Sequence, residues 1–100
     1  MEKQELFFKE LAAIQDLCVN VALCKAGSYS STEEMLKDVT GETIYRVMEL
    51  LDGYGRDLKL ARCNIVDTIT GEVINAGIEL HDKCVEYLED PFAKKVVKEI

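Results

Sequence analysis

The chain has 100 residues, 48% of them hydrophobic and 31% charged, which is typical of one ordered globular domain over residues 1–100. A net charge of −7 argues against nucleic-acid binding, because a polyanion is bound through a basic patch. No apolar run approaches the roughly 20 residues of a membrane span, and residues 1–5 carry acids where a signal peptide has a basic region, so a cytoplasmic protein without membrane contact is expected.

The first predicted element is a long helix over residues 2–26 that Gly27 stops. Its main apolar stripe should pack on the next helix and consists of Phe7, Leu11, Ile14, Leu17, Cys18, Val21 and Ala22. A second, narrower seam at intervals of four, seven and four residues consists of Phe8, Ala12, Val19 and Leu23. Such spacing suits a partner helix, which lies either within the same fold, where the carboxy-terminal segment also needs a docking site, or across a dimer interface.

The second helix, from Thr32 to Asp52, is the element around which we expect the chain to be organised. The Ser31 hydroxyl can accept from the amide of Glu34 while the Glu34 carboxylate returns to the amide of Ser31, and Gly53 can end the helix in the left-handed conformation. Its apolar residues cover an arc of roughly 220°, more than one neighbour can bury, which predicts a central position. Gly41 is the point where this helix could break.

The middle of the chain predicts a β-hairpin. A strand pattern with a phase slip near Ala61 is formed by Leu58, Leu60, Cys63, Ile65 and Val66. The connection follows, with Asp67 able to bond the next backbone amides and Gly71 available for positive φ, before Val73 and Ile74 begin the return strand. Because a lone hairpin is only marginally stable, it should pack against the helices.

Two further helices are predicted at the carboxy-terminal end. The first runs from Ile78 to Glu89, on the helical spacing of Leu80, Cys84, Tyr87 and Leu88. Asp90 and Pro91 then indicate a cap and the first position of a short terminal helix, for which the alternative is a tail that is frayed or ordered by a partner. The predicted fold class is therefore α+β: an N-terminal antiparallel helical hairpin with a central helix, one two-stranded β-hairpin, then one or two C-terminal helices.

His81 is the only histidine, and it lies in the one cluster from which an active site could be proposed. Cys84 lies three positions further on the same side of the predicted helix, whereas Asp82 projects about 100° away and cannot readily orient the imidazole. A Cys–His pair is the minimum for thiol catalysis, but no oxyanion hole or third orienting group is recognisable. The four cysteines show no metal-binding spacing and are expected to be buried free thiols. No catalytic residue, metal site or cofactor is predicted, and a non-enzyme is expected.

Three short stretches resemble small uncharacterised bacterial proteins of about this length: Glu49–Tyr54, Thr70–Glu72 and Ile78–Asp82. The resemblance covers residues 31–90. It implies a compact bacterial α+β domain and brings no functional residues with it.

The acidic surface, the surplus seam and the absence of catalytic motifs together favour a protein-interaction module, whose partner is a second copy of the chain or another protein. One version of such a module is an inhibitor or immunity-type protein, which would present carboxylates to the basic site of a toxin. The candidate carboxylates are those of Glu42, Glu49, Asp52 and Asp57. The alternative is a small-molecule-binding or thiol-dependent protein that uses the Tyr54 loop, His81 and Cys84. That alternative predicts an apolar pocket with a reactive thiolate.

Overall fold

A computed structural model describes residues 2–57 and 59–90. Within these ranges the chain forms three helices, α1 (Glu2–Cys24), α2 (Thr32–Leu51) and α3 (Leu80–Cys84), with a 3₁₀ turn at Ala26–Ser28. Both α1 and α3 pack against α2, so the predicted central position of the second helix is confirmed.

Two polar clusters show that α1 and α2 run antiparallel. Beside the connection between them, the Asp38 carboxylate accepts from the Tyr29 hydroxyl at 2.5 Å and from Lys25 Nζ at 3.4 Å. Near the other end of the pair, Glu10 of α1 accepts from the backbone amide of Arg56, just beyond α2, at 2.9 Å. The predicted helical hairpin is therefore present.

The ends of α2 follow from local chemistry. Ser31 Oγ accepts from the Glu34 amide at 3.1 Å, as predicted, but the Glu34 carboxylate returns to the amide of Ser30 at 2.9 Å rather than to that of Ser31. Gly53 has the expected positive φ of 96° just beyond the helix. Gly41 lies within a continuous helix, so no break occurs there.

The interior of the described part is small and partly polar. The buried apolar side chains are Cys18, Leu50, Leu60 and Leu80. Three polar side chains, those of Glu10, Asp52 and Asn75, are buried beside them. Glu10 and Asp52 accept hydrogen bonds from the backbone of the segment that follows α2, whereas Asn75 lies in that segment and bonds another part of it. Glu10 and Asp52 consequently hold the segment to the helices by polar contacts.

The predicted α+β class is wrong, because the described residues contain three helices and no strand or β-hairpin. Their β pairing is a single isolated antiparallel bridge between Val66 and Val73. The turn that joins these residues does form as predicted: Asp67 Oδ1 accepts from the Ile69 amide at 2.9 Å, and Gly71 has a φ of 79°. The local turn chemistry was correct, but the strands on either side of it do not continue.

Asn75 gives a physical reason why the strands stop. Its fully buried side chain accepts from the Ile65 amide and donates to the Cys63 carbonyl, both at 2.9 Å. These bonds occupy backbone groups that a longer ladder would pair. The apolar residues of the segment also lack a common buried face, since Ile69 is 93% exposed and Ile74 57% exposed. The alternation of apolar and polar residues in this segment therefore does not correspond to a half-buried strand.

The third helix is much shorter than predicted. It covers Leu80–Cys84 instead of Ile78–Glu89, and the chain continues from it in turns. The terminal helix predicted after Pro91 lies outside the described residues.

Candidate functional site

The four residues predicted to form an interaction seam lie on the exposed face of α1. Phe8 is 60% exposed, Val19 48% and Leu23 67%, and Ala12 between them is exposed as well. Cys18, on the neighbouring stripe, is buried. Among the described residues nothing covers this seam, so α1 presents apolar side chains to solvent along much of its length.

The four predicted acidic residues lie in different environments. Glu42 and Glu49 flank Arg46, with oxygen–nitrogen distances of 2.7 Å and 3.2 Å, and so are partly neutralised. Asp57 accepts from a backbone amide two residues further along the chain. Asp52 has a fully buried side chain and cannot present its carboxylate to a partner. The structure brings the first two together around one arginine and separates Asp52 from the surface.

Asp52 instead meets the residues that the sequence grouped around His81. Its Oδ1 accepts from the Leu80 amide and its Oδ2 from the His81 amide, both at 2.9 Å. The same Oδ2 lies 2.6 Å from Nδ1 of the His81 ring, and Arg62 Nη1 lies 3.7 Å from Oδ1. One buried carboxylate thus holds the start of α3 and orients its imidazole.

The hydrogen bonds of this pair perturb both residues. Burial alone would raise the pKa of Asp52, but the backbone hydrogen bonds from His81 and Leu80, together with the imidazole, hold that pKa below its ordinary value. The hydrogen bond from Asp52 raises the pKa of His81 against the opposing effect of burial, and the nearby charge of Asp82 raises it further.

The second ring nitrogen of His81 faces two more carboxylates. Nε2 lies 3.6 Å from Asp82 Oδ1 and 3.9 Å from Glu79 Oε1. The other oxygen of Glu79 accepts a short hydrogen bond from the Tyr54 hydroxyl. The ring of Tyr54 also contacts the imidazole edge to face at a centroid distance of 5.4 Å, and Tyr45 does so at 5.6 Å. The imidazole is therefore fixed both by hydrogen bonds and by aromatic contacts.

Cys84 does not form a catalytic pair with His81. Its Sγ donates to the His81 carbonyl oxygen at 3.5 Å, and burial raises the pKa of the Cys84 thiol. A reactive cysteine needs the opposite shift, towards the thiolate. All four cysteines are free, as expected, although only Cys18 is fully buried. The geometry gives the thiol-dependent alternative no support.

A cleft beside Tyr54 bears on the small-molecule alternative. It lies between α1 and α2, has a volume of about 280 Å³, and is lined in part by Glu10, Arg46, Glu49 and Arg56. Small-molecule sites are typically about 300–1,000 Å³ and mostly apolar. This cleft is slightly below that range, and apolar side chains line it beside the charged ones. A second cleft, between α2 and residues 85–90, has a volume of about 430 Å³ and lies within the range. The small-molecule alternative therefore stays a prediction.

The partnership between Asp52 and His81 was missed because the two residues lie 29 positions apart. No signal close to either residue in the sequence indicated it. In the structure, Glu79 precedes α3 but makes no side-chain capping bond, so the first amides of that helix need an acceptor from elsewhere. Asp52, at the end of α2, is that acceptor.

Comparison with known proteins leaves the function to be argued from geometry. No family model matches the chain, and no significantly similar curated protein or solved structure was found. The resemblance of three short stretches to small bacterial proteins therefore gains no support. No helix in the described ranges is long and apolar enough to cross a membrane.

Proposed function

We propose that the protein is a non-enzymatic cytoplasmic interaction module that associates with a second copy of itself through the seam on α1. The observation that carries this proposal is the exposure of Phe8 and Leu23, at 60% and 67%, on a helix whose neighbouring stripe packs on α2. Contiguous exposed apolar side chains on a soluble domain typically mark a site of protein contact.

The order of residues in the seam favours a second copy over an unrelated partner. Its intervals of four, seven and four residues read the same from either end. In an antiparallel pair of α1 helices, Phe8 faces Leu23 of the second copy, and Ala12 faces Val19. Each alanine then leaves room for a larger side chain, which lets the two helices approach closely.

The centre of such a pair brings equal residues together. The twofold axis passes between Gln15 and Asp16, which flank the seam on opposite sides. Each residue beside the axis faces its own copy, so the two Gln15 side chains can hydrogen-bond to each other, whereas the two Asp16 carboxylates approach on the other flank and repel. From Phe8 to Leu23 the helix rises about 22 Å, which gives a contact about four turns long.

Sedimentation equilibrium over a range of concentrations, at low and high salt, tests the proposal. We expect a dimer that persists at high salt, because apolar contacts hold it while each subunit carries a net charge of −7. Leu23→Gln should weaken dimerisation at least about tenfold, since the substitution occurs twice in the interface. Leu36→Gln is the matched control, because Leu36 is 54% exposed on α2, away from the seam.

A chain that stays monomeric at all concentrations would contradict self-association. If Leu23→Gln then also lowered the melting temperature of the monomer, the seam would be covered within the monomer. If Leu36→Gln weakened dimerisation as strongly as Leu23→Gln, the interface would not be the seam on α1.

A further inference from the structure

The His81 ring has the arrangement of a metal-binding histidine, at a site separate from the seam on α1. Its Nδ1 lies 2.6 Å from Asp52, whose carboxylate is buried and held by two backbone amides. Histidines that bind metals almost always donate the hydrogen of the second ring nitrogen to a carboxylate, carbonyl or water. With Nδ1–H donated to Asp52, a neutral imidazole presents the lone pair of Nε2 to an ion.

Two carboxylates stand at the right distance to share that ion. Nε2 lies 3.6 Å from Asp82 Oδ1 and 3.9 Å from Glu79 Oε1, and the three atoms all lie within 4.8 Å of one another. Ligand bonds of about 2.1 Å allow two donors of one ion to lie up to about 4.2 Å apart. The side chain of Asp82 is 76% exposed, so it can rotate to close the remaining distance.

The outer contacts of these ligands provide a second, independent observation. The Tyr54 hydroxyl binds Oε2 of Glu79, which leaves Oε1 facing the imidazole. Two of the three ligands thus have their other polar atom held by a residue outside the cluster, His81 by Asp52 and Glu79 by Tyr54. Such partners orient ligands in metal sites, and acidic residues that merely lie near each other on a surface do not require them.

The charge and the donor types indicate the class of ion. Three carboxylates surround the imidazole, and Arg62 is the cation beside Asp52, at 3.7 Å. The excess of negative charge favours a cation. Mg²⁺ and Ca²⁺ prefer all-oxygen sites, whereas an imidazole nitrogen suits zinc, copper and nickel. We propose that Glu79, His81 and Asp82 bind one divalent transition-metal ion, with Zn²⁺ as the representative, and that Asp52 and Tyr54 position the ligands.

The single histidine allows a direct test with Zn²⁺ alone as the probe. In the full chain, the imidazole signals in a ¹H–¹³C NMR spectrum belong to His81 without assignment. We expect one equivalent of Zn²⁺ to shift them saturably and Mg²⁺ to leave them unchanged. Glu79→Gln and Asp82→Asn should each weaken Zn²⁺ binding at least about tenfold, and Tyr54→Phe about tenfold, as is typical of an outer partner.

Glu86→Gln is the matched control, because Glu86 is an exposed carboxylate close in sequence that pairs with Lys83 instead. It should bind Zn²⁺ like the unsubstituted chain, and circular dichroism checks that every variant is folded. The proposal is overturned if the His81 signals do not move in excess Zn²⁺. It is equally overturned if Zn²⁺ binds but Glu79→Gln and Asp82→Asn leave the affinity unchanged, because the free thiols would then hold the ion.

Discussion

The α1–α2 pair and the segment that follows it are held in place by different forces. The two helices pack through apolar stripes, with Cys18 and Leu50 buried. The segment after α2 has little regular secondary structure. Hydrogen bonds to Glu10 and Asp52 hold it to the helices, and Asn75 joins two of its own parts. Apolar packing is spread over many contacts, whereas each polar anchor satisfies particular backbone groups, which are left unsatisfied when the anchor is removed. In the second region, single polar side chains should therefore make large contributions to stability.

The largest effect is expected for Asp52→Ala. The substitution leaves the amides of Leu80 and His81 without their acceptor and removes the partner of the imidazole. We expect the free energy of unfolding, measured by urea denaturation in EDTA, to fall by about 3 kcal/mol. Asp82→Ala is the control, since its side chain is 76% exposed. Equal losses for the two variants would break the distinction between polar anchors and surface carboxylates.

Asn75→Ala should have the next largest effect. It removes the bonds to the Ile65 amide and the Cys63 carbonyl, and leaves both backbone groups unsatisfied. A loss of about 2 kcal/mol is expected, with faster hydrogen exchange at the Ile65 amide. The exposed residue Asn64 supplies the matched variant, Asn64→Ala, which should change neither quantity. If exchange at Ile65 were unaffected by Asn75→Ala, this amide would not depend on the anchor.

Gly53→Ala tests the junction between the two regions. Gly53 has a φ of 96°, and a Cβ there would lie 2.9 Å from the backbone nitrogen of Arg62. Strain and crowding together should cost about 2 kcal/mol in thermal or urea unfolding. Gly71→Ala separates the two terms, because Gly71 has a φ of 79° with nothing near its Cβ position, and should cost about 1 kcal/mol. Identical losses would show that the close approach at Arg62 has no effect.

The smallest effect concerns the pH dependence at the turn. Hydrogen bonds from the amides of Ile69 and Thr70 lower the pKa of Asp67. A carboxylate of this kind stabilises the fold above its unfolded pKa of about 3.9 and loses that contribution as the pH falls through the lower folded value. A carboxyl ¹³C titration should show Asp67 titrating at lower pH in the folded chain than in urea. Coincident curves would mean that the turn does not hold this side chain.

The local elements were predicted well because their signals lie within a few residues. The bounds of α2 follow from the Ser31 cap and from Gly53, and the turn follows from Asp67 and Gly71. Strand continuation was predicted wrongly because alternating apolar residues indicate a sheet only when one face is buried. Here Asn75 takes up the neighbouring backbone groups instead.

The two candidate sites differ in the same way: one depends on neighbouring residues and the other on residues distant in sequence. Apolar spacing within one helix was enough to find the seam from Phe8 to Leu23, whereas the cluster around His81 was not recognisable as a site. Its orienting carboxylate, Asp52, looked like a surface acid, and Asp82 seemed to point away from the ring.

By itself, the sequence determined the two long helices, the Ser31 cap and the Gly53 end of α2, the turn and the surplus apolar seam. Each depends on helical periodicity or on hydrogen bonds between near neighbours, which a short stretch of chain encodes. Only the tertiary structure decided that Asp52 is buried, that it orients His81 from 29 residues away, and that Asn75 replaces a β ladder. Those contacts join residues that are distant in sequence, so they form only when the segment after α2 folds back. Folding also buries the polar groups, and a buried polar group needs a hydrogen-bond partner.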